Sequence, residues 1–134
     1  MSKHQYQFEL IVSERKVYDR RIVDAIEALR EQPQPDAFGL GQMVGLSQGH
    51  FQHLFKREVG LSVRAYVREL RLNRAAELLR DTHLSIKEIR NNVGIPDASN
   101  FVHLFRKRFG TTPTEYRNRL HRSLDQRIAF LTNK

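Results

Sequence analysis

The chain contains no cysteine, which excludes disulfides and thiolate metal ligands and suits a reducing cytoplasm. No apolar run approaches the ~20 residues that cross a bilayer. The N-terminus has no charged start followed by an apolar stretch, so no secretion signal is expected. No nucleophile motif and no phosphate-cradling glycine loop is present. His50 and His53 stand three apart, yet no carboxylate lies at a spacing that would complete a zinc site with them. Neither an enzyme nor a metal or other cofactor is therefore expected. Glycine and proline are also missing from Ser62 to Arg80, so nothing interrupts a helix there.

What is present is a packable chain with an excess of cations. Hydrophobic residues make up 40% of 134 residues and charged residues 28%. That composition supports one compact domain, or two very small ones sharing an element. Lys plus Arg number 23 and Asp plus Glu 15, for a net charge of +8. A small domain this basic attracts polyanions, nucleic acid first among them, then acidic membrane surfaces or acidic proteins.

The chain also repeats itself. Phe51, His53, Leu54, Phe55, Gly60, Tyr66 and Leu70 recur 50 positions later as Phe101, His103, Leu104, Phe105, Gly110, Tyr116 and Leu120. Upstream the offset is 49, matching Gly45 to Gly94 and Leu46 to Ile95. The second copy thus carries one extra residue between its turn and its first aromatic. Two copies are too few for a solenoid and point to a duplicated functional unit.

Each copy reads as helix, tight turn, helix. In the second, Ser85 and Glu88 have capping-box spacing, Ile86, Ile89 and Val93 share a face, and Gly94 suits the left-handed stop. In the first, Asp36 caps, Leu40 and Val44 face inward, and Gly45 ends the helix. Ser47 caps the next, with Phe51, Leu54 and Phe55 inward and Gly60 as terminator. Phe101, Leu104, Phe105 and Phe109 repeat this before Gly110. The aromatics read as core rather than as base-reading groups. Between the copies, Ser62 opens a helix reaching about Arg80. Its span of roughly 28 Å approaches the ~34 Å of one duplex turn. An amphipathic helix is expected from Asp19 to Gln32, ended by Pro33 and Pro35. Thr112 and Pro113 fit the N-cap and N1 positions of a last helix, extending into a Leu124, Ile128, Leu131 stripe. In the first 18 residues, Tyr6, Phe8, Leu10 and Val12 alternate like a strand without a visible partner. The expected organisation is an all-α fold of about seven helices. It comprises an N-terminal extension (1–18), a first helix-turn-helix subdomain (19–61), a long linker helix (62–82) and a second subdomain with a C-terminal helix (83–134).

At this point the sequence resembles the DNA-binding domain of the AraC/XylS family of transcription regulators. The carriers are Gly45-Leu46-Ser47, Phe51 to Lys56, Gly60, Tyr66, Arg71-Leu72 and Ala75-Leu78-Leu79. They continue with Ile86 to Gly94, Asn100 to Arg106, Phe109-Gly110, Pro113 and Tyr116-Arg117. The match covers roughly residues 20 to 120. It implies seven helices, with the third and sixth entering successive major-groove segments of double-stranded DNA. It further implies a transcription activator that contacts RNA polymerase, located in the cytoplasm at the bacterial nucleoid. The chain is similar to the short stand-alone members, without room for a small-molecule effector domain.

Transferred position by position, the base-facing candidates are Gln48, Gly49, His50, Gln52, His53 and Lys56 in the first unit. In the second they are Ala98, Ser99, Asn100, Val102, His103 and Arg106. A Gln or Asn amide can pair with adenine N6 and N7, which suits Gln52 and Asn100, and Val102 can meet a thymine methyl. Phosphate contacts are expected from among Arg57, Arg64, Arg68, Arg106, Lys107, Arg108 and Arg117, unless these pair with Glu58, Glu69 or Glu115 instead. Backbone amides after Ser62 and Thr112 are further anion donors.

Several positions depart from the family pattern. Arg90 stands where the family places a small Ala, and Pro96 where Ser is common. Ala98 and Val102 leave the second reading helix short of hydrogen-bonding groups, and Gly41 and Gly49 are small residues in the first unit. The departures in the second unit keep an alternative open, a protein-interaction module binding RNA polymerase or another regulator through degenerate helix-turn-helix units.

Overall fold

The computed structural model describes residues 19–132; the strand-like alternation noted for the first 18 residues lies outside them. The described residues form seven α-helices and no strand, an all-α fold. In chain order these are α1 (Arg20–Glu31), α2 (Ala37–Val44), α3 (Gln48–Val59), α4 (Val63–Asp81), α5 (Ile86–Asn92), α6 (Ala98–Phe109) and α7 (Pro113–Thr132). The chain divides into two compact units between Arg71 and Leu72. The division falls inside α4. The helix feeds Val63, Tyr66 and Val67 to the first core and Leu72, Ala75, Leu78 and Leu79 to the second.

In the first unit, Ile22, Ala25 and Leu29 of α1 meet Phe51, Leu54, Phe55 and Val59 of α3 in one buried cluster. Short caps set the helix starts. The Asp36 carboxylate accepts the Gly39 amide at 2.9 Å, and Ser47 Oγ accepts the His50 amide at 3.3 Å. Between α2 and α3 the turn closes through the Leu46 amide, which donates to the Gly41 carbonyl at 2.7 Å. Gly41 is buried there, and a Cβ on it would stand 2.8 Å from the Leu46 carbonyl oxygen. The turn therefore requires a residue without a side chain. At Gly60 the backbone has φ of 89°, a left-handed conformation that glycine adopts without steric cost.

The second unit repeats this plan. Ser85 and Glu88 form the capping box, each accepting the other's amide at 3.1 and 3.3 Å. The α5–α6 turn closes by the equivalent bond, from the Ile95 amide to the Arg90 carbonyl at 2.9 Å. Its extra residue moves the next cap to Asp97, which accepts the Asn100 amide at 2.7 Å. Arg90 occupies the place of Gly41, half-buried, and its guanidinium donates to the Pro96 carbonyl. The long cation thus runs out along the turn rather than into the core.

The same aromatic triad anchors both units. Phe51 and Phe55 lie 5.8 Å apart between ring centroids, and Phe55 meets Tyr66 edge-on at 5.7 Å. Phe101 and Phe105 lie 5.9 Å apart, and Phe105 meets Tyr116 edge-on at 5.4 Å. Each buried ring contributes about 1.5–3 kcal/mol by desolvation, with roughly 0.5–1.5 kcal/mol more per favourable pair. These contacts fix α3 and α6 against their units, as core residues and not as readers of bases.

Candidate nucleic-acid interface

Burial of Phe51, Leu54 and Phe55 dictates where the rest of α3 points. Gln48, Gly49, His50, Gln52, His53 and Lys56 are all exposed. Gln48, Gln52, His53 and Lys56 line a groove of about 640 Å³ together with Pro35 to Phe38 and Ser62 to Arg64. This brings the outer face of α3 next to the starts of α2 and α4. Ser62 Oγ accepts the Ala65 amide at 3.2 Å, and Arg64 stands on the same rim. The groove has the equipment for an anionic, hydrogen-bonding ligand: an amide pair, an imidazole, two flexible cations and helix starts with positive dipole ends. Arg57 and Arg68 are exposed but do not line the groove.

On α6 the burial of Phe101, Phe105 and Phe109 has the same consequence. Ala98, Ser99, Asn100, Val102, His103, Arg106 and Lys107 are exposed. Val102 is 37% exposed and lies on this outer face with no polar group of its own. Ahead of α7, Thr112 and Glu115 form a second capping box, with bonds of 3.2 and 3.3 Å.

Two cations expected on phosphate are turned inward. Arg108 is only 5% exposed. Its Nη2 donates to Asn73 Oδ1 at 2.5 Å, and its guanidinium carbon lies 5.1 Å from the centroid of the Phe109 ring. Arg117 closes the end of α4. Its Nη1 donates to the Leu84 carbonyl at 2.6 Å, its Nε to Leu79 at 3.2 Å, and its Nη2 to Thr82 at 3.2 Å. The last four carbonyls of a helix lack internal donors, and a guanidinium fork can supply several. Both guanidiniums are thus engaged within the second unit. Lys–Arg-rich spelling around Arg106 to Arg108 hid this, because helical phase separates Arg108 from its neighbours by ~100° per residue.

Two groups escaped the sequence reading. Asp97 as a cap was legible in the offset of 50 that aligns it with Ser47. The outward direction of Phe38 was legible in its position two residues before inward-facing Leu40, but its place in the groove wall was not. Among the described residues no cluster of His, Asp and Glu could hold a metal ion, and no helix is long and apolar enough to cross a membrane.

A buried aromatic scaffold presenting an outward polar helix, twice, defines a helix-turn-helix protein of the DNA-binding class. A profile described as a helix-turn-helix domain matches residues 40–119. Over 75 residues, 56% of the chain, it is 40% identical to the xylose operon regulatory protein of Escherichia coli K12, covering 19% of that protein. Over 74 residues it is 39% identical to the HTH-type transcriptional activator RhaR of Mannheimia succiniciproducens, covering 27% of it. A crystal structure of a transcriptional regulator with an AraC-type DNA-binding domain from Chromobacterium violaceum superimposes with a TM-score of 0.68. That match has 29% identity and covers 75% of this chain and 92% of the other. The chain belongs to the AraC/XylS-type family of helix-turn-helix regulators. It spans about a fifth to a quarter of the length of those two curated relatives.

Proposed function

We propose that this chain reads double-stranded DNA as a transcription regulator, with α3 and α6 each entering a major-groove segment. The observation that carries this reading is the groove that sets Gln52, His53, Lys56 and Arg64 side by side, on a helix whose opposite face is locked by Phe51 and Phe55. Gln52 and His53 contact base edges in one segment, and Ser99 and Asn100 in the next. Lys56, Arg57, Arg64, Arg68, Arg106 and Lys107 supply phosphate contacts that set position without carrying sequence information. Family membership supports the reading, and the net charge of +8 fits a polyanionic partner. Activation through contact with RNA polymerase is the regulatory outcome we favour, since a similar relative is named an activator. Such a chain acts at the nucleoid, as a binding protein and not as an enzyme.

The test is selection from a random duplex library followed by footprinting of the selected site. Two protected segments about one helical turn apart, each with its own base preference, support bipartite reading. One enriched half-site confines base reading to one unit. Binding that is absent at low salt, where counterion release favours DNA association most, moves the function to a protein-interaction module.

A further inference from the structure

Phe38 stands 57% exposed in the first turn of α2. Its exposure follows from helical register. Leu40 and Val44 pack against the first core, and a residue two positions before Leu40 falls about 200° around the helix from it. The ring cannot join the core, so it forms part of the groove wall instead, beside Pro35, Ala37 and Val63 and facing Gln48, Gln52, His53, Lys56 and Arg64 across a mixed lining. Asp36, the one carboxylate in that wall, is engaged by the Gly39 amide at 2.9 Å. Gly39 has no Cβ that would collide with this cap.

An exposed phenyl ring in this groove gains free energy when a ligand removes it from water. A ligand that satisfies both the ring and the cations must be anionic with apolar faces. Duplex DNA offers these as deoxyribose carbons beside each phosphate and as thymine methyls in the major groove.

We propose that Phe38 is a DNA contact of the first unit, its ring packing on an apolar face of the strand that enters the groove. The proposal rests on the DNA-reading function above. It adds an apolar contact on α2 to a set drawn from α3, α4 and α6.

The experiment is an equilibrium titration of Phe38→Ala, Phe38→Leu and Gln52→Ala with the duplex selected by the unaltered protein, at fixed salt. Thermal unfolding of each variant is followed in parallel. Phe38→Ala is expected to weaken binding about five- to thirtyfold and to leave the salt slope and the melting temperature unchanged. Phe38→Leu is expected to retain part of the affinity. Replacing each thymine by deoxyuridine then separates the two apolar faces. Loss of affinity at one position for the unaltered protein, but not for Phe38→Ala, assigns a thymine methyl. Insensitivity at every position assigns deoxyribose. Unchanged binding by Phe38→Ala while Gln52→Ala binds more weakly overturns the proposal alone. Unchanged binding by both removes the DNA-reading function of α3, and the proposal with it.

Discussion

The guanidinium of Arg108 on α6 donates to the side-chain oxygen of Asn73 on α4 at 2.5 Å, inside the second unit. A cation this buried depends on its bond to Asn73, on the Phe109 ring beneath its guanidinium and on the packing of its stem. Arg108→Ala is expected to lower stability by about 2–4 kcal/mol, because it leaves both a cavity and a half-buried amide without its donor. Arg108→Met, which keeps the stem, is expected to lose less. Chemical denaturation measures both. If Arg108 instead bound phosphate, the alanine variant would unfold normally and its DNA affinity would show a salt slope smaller by about 1.

Arg117 joins the end of α4 to the loop before α5 through the carbonyls of Leu79, Thr82 and Leu84. A lysine carries the charge but has no planar fork. Arg117→Lys should therefore lower stability by about 1–2 kcal/mol, and Arg117→Ala by about 2–3 kcal/mol. Hydrogen exchange should localise the loss to the last turn of α4 and to Leu84. A loss spread evenly over both units would contradict the local role.

The two turns differ by one residue, and the difference sets which side chain each can hold. Gly41 lies beneath the Leu46 carbonyl with no room for a Cβ. At the equivalent place Arg90 reaches the Pro96 carbonyl of a longer turn. Gly41→Arg should destabilise the first unit by at least about 1–3 kcal/mol by overpacking. A melting temperature equal to that of the unaltered protein would show that the short turn can widen.

Gln52→Ala should weaken binding to the preferred duplex by about 1–3 kcal/mol and relax choice at one base position. Competition titrations against all four bases at that position decide the matter. Equal weakening on every sequence would reassign Gln52 to backbone positioning.

Asp19 gives a pH signature. Its carboxyl is lowered to about 2, chiefly by the hydrogen bond from the Arg21 side chain. A carboxyl depressed in the folded state contributes stability above its ordinary value near 3.8, and that contribution disappears as pH falls toward 2. NMR titration of the Asp19 carboxyl should show the low midpoint, and Arg21→Ala should return it toward the ordinary value.

Much of this was legible along the chain. The caps at Asp36, Ser47, Ser85 and Thr112 are local: each side chain reaches the amide three residues ahead, so spacing alone reveals it. The inward faces of α3 and α6 follow from apolar periodicity, and the outward faces follow in turn. Repetition at an offset of 50 exposed the duplication. The internal bonds of Arg108 and Arg117 were not legible, because their partners, Asn73 and the carbonyls of Leu79 and Leu84, lie 33 to 38 residues away.

By itself, then, the amino-acid sequence determined the helices, their caps, the duplicated aromatic scaffold and the polar face that scaffold leaves outside. These depend on interactions within a few residues, or on burial that recurs with the helical period. Tertiary structure alone decided which cations remain at the surface, and that Phe38 joins Gln52 and Arg64 in one groove. The reason is that a side chain's partner across a core is set by how helices pack, and packing brings together residues whose separation along the chain carries no periodic signal.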